Sequence, residues 1–252
     1  MTIESTLADG IGRVVISNPP LNILTREVMA ALRAELGKLE SEPSIRVLVL
    51  EGEGKHFSAG ADVAEHLPPD FEQMIPEFLD TVSAIETFPV PVIAAVQGRC
   101  LGGGFELVLG ADLLIATESA ELGQPEIMLG VIPPAACALL PDLCSRGTAA
   151  EIVYTGDAIS AREAFDAGLA WKVVPDDQLA TEVQEAAGRI ARHSAAALRS
   201  AKRSMRVTTD VAHRAAMAAI GKIYIHELMT TEDAIEGLNS FLEKRQPTWK
   251  HA

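Results

Sequence analysis

Residues 92–112 read VIAAVQGRCLGGGFELVLGAD: an apolar, partly β-branched run, a glycine-bearing turn, three consecutive glycines, then a short apolar stretch with helical character. Residues 47–62, VLVLEGEGKHFSAGAD, repeat the plan of buried run, glycine loop and onward chain. Runs apolar at every position, rather than at alternate ones, suit strands covered on both faces, as in a parallel sheet flanked by helices. The two segments follow no strict period, so they do not describe a solenoid array.

Working outward, Arg13–Ser17, Val47–Glu51, Val90–Val96 and Leu113–Thr117 are candidate strands closed by Pro or Gly, and residues 171–174, WKVV, are the last. Between the first two, Val28, Leu32, Leu36 and Leu39 recur at helical spacing behind Thr25, a good N-cap. Ser160 with Glu163 has the spacing of a capping box. After Asp176 the pattern is helical: 178–192, 195–205, 211–229 and 231–244. Strands alternating with helices, then helices alone, predict an α/β core over 1–194 and a helical region over 195–252.

Composition narrows the function. Of 252 residues, 35 are acidic and 21 basic, a net charge of −14 with no basic run to offset it, which argues against a nucleic-acid partner. Aromatics are only 4% against 48% apolar residues, so Ala, Val, Leu and Ile must build the core. The first ten residues, MTIESTLADG, have no basic and apolar leader pattern, and no apolar run approaches a bilayer span. A cytoplasmic protein without membrane attachment is expected. Cys100, Cys137 and Cys144 are odd in number and lack metal-ligand spacing, so buried thiols are expected rather than a disulfide or zinc site.

The glycine loops carry the first chemical signal. Gly102, Gly103 and Gly104 open a helix whose first N–H groups have no intrahelical acceptor, and without Cβ atoms the backbone can approach a ligand closely. Taken alone, such a triad serves equally well as a close-packing site. One N–H from the earlier loop, FSAGAD at 57–62, together with one from the triad would make a two-donor oxyanion hole. Glu106 sits among Phe105, Leu107, Val108 and Leu109, where desolvation pushes a carboxylate toward its neutral form. Glu126 follows Gln124 and Pro125 and opens a second apolar segment; it could equally be a charge favouring a helix start. Two such groups around one water could remove one proton and deliver another.

At these residues the sequence resembles the crotonase superfamily of enoyl-CoA hydratases and isomerases. The matching segments are NPPLNILT at 18–25, VLVLEGEGKHFSAGAD at 47–62, PVIAAVQGRCLGGGFELVLGADLLIAT at 91–117, AELGQPEIMLGVIP at 120–133, YTGDAISAREAFDAGL at 154–169 and TEDAIEGLNSFLEKRQP at 231–247. The resemblance implies a spiral of ββα turns with C-terminal helices that pack trimers or hexamers, and an acyl-CoA substrate of fatty- or aromatic-acid degradation. It places the oxyanion hole on the N–H groups of Ala61 and Gly103. Glu106 would activate the water and Glu126 would donate the proton. Ala59, Gly60, Asp62, Gly102, Gly104, Pro125 and Pro133 would contact substrate.

Both carboxylates together favour hydration; an isomerase that shifts a double bond through Glu126 alone is the competing enzyme reading. A non-catalytic, RNA-associated homologue is the third. After Gly130 the chain reads VIPPAACALLP, where the family's loop is rich in Gly and Thr; Pro133 and Pro134 stiffen it and remove a donor. That proline pair, with AEHLPPD at 64–70, is similar to hydratases of cyclohexa-1,5-diene-1-carbonyl-CoA.

No metal or redox cofactor is expected, coenzyme A being part of the substrate. The six histidines show no paired metal spacing, and His66, near FSAGAD, could border the acyl pocket, though a solvent-facing side chain is the first expectation. Arg26, Lys55, Lys244 and Lys250 are the candidate cations for CoA phosphates, the last two also for a neighbouring subunit.

Overall fold

In the computed structural model, which describes residues 1–251, the two apolar runs lie side by side in parallel register, Leu48 opposite Val92 and Leu50 opposite Ala94. In chain order the first half forms β1 (Thr2–Ala8), β2 (Ile11–Ser17), α1 (Arg26–Glu40), β3 (Val47–Gly52), α2 (Phe71–Glu86), β4 (Val92–Val96), β5 (Arg99–Leu101) and α3 (Gly103–Leu109). Then come β6 (Leu113–Thr117), β7 (Glu121–Gly123), α4 (Pro134–Leu143), α5 (Arg146–Thr155), β8 (Ile159–Ser160), α6 (Ala161–Asp166) and β9 (Lys172–Val174). Four helices end the chain: α7 (Leu179–Ala191), α8 (Ala195–Arg206), α9 (Thr209–His226) and α10 (Glu232–Leu242).

The large sheet has the order β1-β2-β3-β4-β6-β9, antiparallel only between β1 and β2. A small sheet, β5-β7-β8, lies beside it. β4 and β6 are each followed within a few residues by a short strand of the second sheet and then by a helix or helical turn, and β3 by a single bridge from Ser58 to Cys100 of β5. That is the expected ββα spiral. The period-2 rule explains the unbroken apolar runs. On one face of the large sheet Val47, Val49, Ile93 and Ile115 pack on Val183, Ala186 and Ala187 of α7. On the other, Leu48, Leu50, Val92 and Ala94 join Leu32 and Leu36 of α1 and Phe105 of α3.

Thr25 caps α1 as expected, accepting from the Val28 N–H at 3.2 Å, and the Ser160–Glu163 capping box is formed. β4 starts at Val92 rather than at the expected Val90, since Pro91 cannot donate to a ladder. α9 packs against α2 and α4 through Met217, Gly221 and Tyr224; a Cβ on Gly221 would stand 3.0 Å from Leu79, so the missing side chain sets the closeness of the helices. No helix among the described residues is long and apolar enough to cross a membrane.

Candidate active site

The two glycine loops meet because buried Asn22 ties the first one down. Its side-chain amide donates to the carbonyls of His56 (2.8 Å) and Glu53 (2.9 Å), and the Ser58 hydroxyl donates to its own carbonyl at 2.8 Å. Residues 58–62 then run as an extended strip. Ala59 N–H donates to Leu21, Gly60 accepts from Leu24 N–H, and Ser58 accepts from Leu101 N–H, the last bond tying the strip to β5. Gly60, at φ +111°, turns the strip so that a Cβ there would lie 3.7 Å from Gly103 N; a Cβ on Gly103 would lie 3.2 Å from Ala61 N. The N–H groups of Ala61 and Gly103 are therefore neighbours, and neither donates to a protein acceptor among the described residues.

Both open onto a cleft of about 680 Å³ whose wall includes Ala59 to Val63, Gly102, Gly103, Glu106, Pro125 and Glu126. Glu106 is 2% exposed. Its Oε1 accepts the N–H groups of Ala135 (2.7 Å) and Ala136 (2.9 Å), so the carboxylate caps α4 from outside the helix. Pro134, at the first helical position, has no N–H to offer and holds the turn that aims the next two. Burial raises the Glu106 carboxyl to about 7 despite those two N–H groups, which pull it down.

Glu126 lies on the 3-10 turn Pro125–Leu129, its Oε1 only 2.6 Å from where a Cβ on Gly102 would stand. Burial, and then the charge of Glu106, raise its carboxyl well above the usual range. Both shifts favour the neutral acid, and the charge of Glu106 adds to burial in favouring the proton on Glu126. Gln124, fully buried, brings its side-chain amide within 3.0 and 3.2 Å of the Glu126 oxygens.

Of the residues singled out in the sequence, Ala59, Gly60, Ala61, Asp62, Gly102, Gly103, Glu106, Pro125 and Glu126 come together in the cleft. Gly104 and Pro133 do not line it. Gly104 packs on Ser58, whose Cβ would be 2.7 Å from an added Cβ, and Pro133 precedes α4 while Pro134 takes the wall position. The expectation that His66 faces solvent is corrected: it is part of the wall.

Arg26 is held by Glu77 at 2.8 and 2.9 Å, and Lys250 pairs with Glu232. The arginines that do border the cleft are Arg99 and Arg245, which the sequence reading missed. Asn22 and Gln124 were also missed, although both stand inside quoted motifs; burial marks both, with several backbone carbonyls as partners for Asn22 and the Glu126 carboxyl beside Gln124. Cys100 is buried, whereas Cys137 and Cys144 are half-buried, and all three are free. No group of three or more His, Cys, Asp and Glu among the described residues is placed to hold a metal ion.

A family model described as enoyl-CoA hydratase/isomerase matches residues 6–252. A cyclohexa-1,5-dienecarbonyl-CoA hydratase of Thauera aromatica is 37% identical over 95% of this chain and 92% of its own. A 2,3-dehydroadipyl-CoA hydratase of Escherichia coli strain K12 is 36% identical over 91% of this chain and 90% of its own. Among solved structures, an enoyl-CoA hydratase/isomerase from Pseudoalteromonas atlantica T6c superposes with a TM-score of 0.90 at 29% identity, covering 99% of this chain and all of that one.

Proposed function

The chain belongs to the enoyl-CoA hydratase/isomerase family, and on that premise we propose that it adds water to the conjugated double bond of an acyl-CoA thioester through Glu106 and Glu126. The observation that carries this reading is the pair of carboxyl groups, Glu106 and Glu126, lining one cleft beside the two free N–H groups of Ala61 and Gly103. The thioester oxygen would accept from Ala61 and Gly103, which stabilise the enolate charge as it forms; each such donor is typically worth about 10²–10³ in rate. With Oε1 of Glu106 occupied by Ala135 and Ala136, its second oxygen is the one left to take a proton from water. The water oxygen bonds to the β-carbon, the electron pair moves toward the thioester, and protonated Glu126 delivers a proton to the α-carbon. The reverse dehydration uses the same groups. Atoms and charge balance with water alone, so the step calls on no metal or redox cofactor.

For the acyl group the reading is cyclohexa-1,5-diene-1-carbonyl-CoA. It is supported by the proline pair at the start of α4, by compact apolar walls from Met74, Ile75, Phe78, Val131 and Ile132, and by the printed name of the Thauera relative. The test is a panel of linear, branched and cyclic enoyl- and dienoyl-CoA thioesters followed by loss of conjugated absorbance. Turnover of the cyclic diene above linear enoyl thioesters is the expected result; turnover of none rejects hydration. Residues 195–252 are read as the trimer- or hexamer-forming region beyond a 1–194 core. Exposed apolar side chains at Met205 (82%), Val207 (67%) and Val211 (73%) on and between α8 and α9 support that reading.

The protonation states predict a bell-shaped pH profile. Glu106 must be ionised to act as base, so kcat/KM rises with pH through an apparent value near 7. It falls again at higher pH, once Glu126 loses the proton it must donate. Because the two groups interact, both limbs belong to the pair rather than to single residues. Rates measured from pH 5 to 10 check this; a profile flat from 5.5 to 8.5 contradicts it.

A further inference from the structure

The wall of the cleft carries a polar side chain, His66, that the proposed reaction does not use, and buried Tyr224 packs against it. His66 ends the 3-10 turn that follows the first glycine loop, and its Nδ1 lies 2.8 Å from the Asp62 carbonyl oxygen. A carbonyl can only accept, so Nδ1 carries the proton and Nε2 is left as an acceptor. That nitrogen has no hydrogen-bond partner among the described residues. Burial holds the imidazole below its ordinary pKa, which keeps the ring neutral.

Tyr224 stands beside it, the ring centroids 6.4 Å apart and tilted by 50°. α9 places it there. One turn earlier, Gly221 lets the helix settle onto Leu79 and Ile75 of α2, and Ile75 is itself a wall residue. Tyr224 has no solvent exposure, and its hydroxyl finds no hydrogen-bond partner among the described residues. Burial, and then the charges of Glu126 and Glu106, raise the phenol and keep it in its neutral form.

Around these two groups the wall is apolar, built from Val63, Met74, Ile75 and Phe78. An alkyl chain is matched by that surface but leaves the imidazole lone pair of His66 unanswered. A hydroxyl answers it, since its O–H donates to Nε2. Sites built to hydrogen-bond a substrate hydroxyl reject the analogue that lacks it much more strongly than apolar pockets reject a change of one methylene.

We propose that His66 and Tyr224 form a polar subsite selecting acyl groups that bear a hydroxyl beyond the reacting double bond. This deepens the hydratase reading and rests on it. His66 is the group in contact with the acyl hydroxyl, and Tyr224, packed against its ring and outside the cleft, is a positioning residue.

The experiment compares thioesters in which a hydroxyl replaces a methyl: 4-hydroxybut-2-enoyl-CoA against pent-2-enoyl-CoA, and a ring-hydroxylated cyclohexenecarbonyl-CoA against its ring-methyl counterpart. Wild-type full-length protein is expected to favour the hydroxylated member of one pair at least tenfold in kcat/KM. His66→Met and Tyr224→Phe are each expected to lower that ratio at least fivefold. The ratio is internal to each variant, so a general loss of activity does not mimic the effect. Tyr224→Phe deletes one buried O–H without a protein partner and is expected to hold or raise Tm. A wild-type preference for the methyl members, a ratio unmoved in both variants, or a Tm several degrees lower in Tyr224→Phe overturns the subsite. Calorimetric binding of saturated 4-hydroxybutanoyl-CoA against pentanoyl-CoA reads the same preference without turnover. Absence of hydration with the preference intact would therefore sink only the hydratase reading, and hydration without the preference only the subsite.

Discussion

Glu106→Gln lowers kcat for hydration by about 10³–10⁴-fold, the loss expected when a positioned general base is removed. Gln is the informative replacement because its amide oxygen can still accept from the Ala135 and Ala136 N–H groups, so α4 keeps its external cap. Ala at the same place would leave two buried donors unpaired, at about 1–3 kcal/mol each, and would mix an unfolding effect into the kinetics. The stability of the Gln variant has a sign that can be worked out. Burial raises the folded-state Glu106 value to about 7, above its ordinary 4.5, so the fold favours the protonated acid. That contribution is complete below the unfolded value and is lost as pH rises through the folded one. At pH 8 the wild-type protein holds an ionised carboxylate against desolvation, and the neutral amide does not. Thermal unfolding at pH 8 should find the variant at least as stable as wild type while turnover has collapsed. The variant also separates the two enzyme readings, because an isomerase that shuttles its proton on Glu126 would keep shifting a double bond at full rate.

How much of this was legible beforehand depends on the kind of signal. β3 and β4 declare themselves because both of their faces are buried, which forces apolar residues at every position of 47–50 and 92–96. The capped helix at Arg26–Glu40 and the box at Ser160 are local, sequence-adjacent interactions, so they too can be read from the chain. β1 is different: its residues alternate between exposed and half-buried, and only pairing with β2 makes it a strand. The short strands β5, β7 and β8, of two or three residues each, exist only because the glycine loops need an edge to lean on. At the site, the glutamates and glycines stand in recognisable motifs. Gln124 and Tyr224 act through contacts with residues far along the chain or through a packed helix, and no spacing announces them. His66 was misjudged for the same reason: a histidine in a polar stretch, AEHLPPD, looks solvated until α9 arrives behind it.

Gly102→Ala should abolish hydration nearly as completely as the loss of an acid, by about 10³-fold or more in kcat/KM, although it adds only one methyl group to a residue with no chemistry of its own. Gly102 sits at φ +51° and ψ −130°, a conformation that an L-residue rarely adopts and that typically costs about 1–3 kcal/mol when imposed. It cannot relax freely, since its N–H donates to Gly123 at 2.8 Å and its carbonyl accepts from Glu106 N–H at 3.0 Å. The new Cβ would stand 2.6 Å from Glu126 Oε1, so either the acid swings away from the substrate or the loop shifts. A loop shift moves the adjacent Gly103 N–H, one of the two oxyanion donors, and a carboxylate swing removes the proton source. Neither escape leaves the reaction intact. Gly104→Ala provides the contrast: its Cβ would meet Ser58 at 2.7 Å, behind the cleft, so it should be felt first in Tm and less in kcat. Steady-state kinetics with melting curves on both variants decide the matter. A Gly102→Ala protein retaining more than a tenth of wild-type kcat/KM would mean that Glu126 does not need the place against Gly102, and the two-acid mechanism would have to be abandoned.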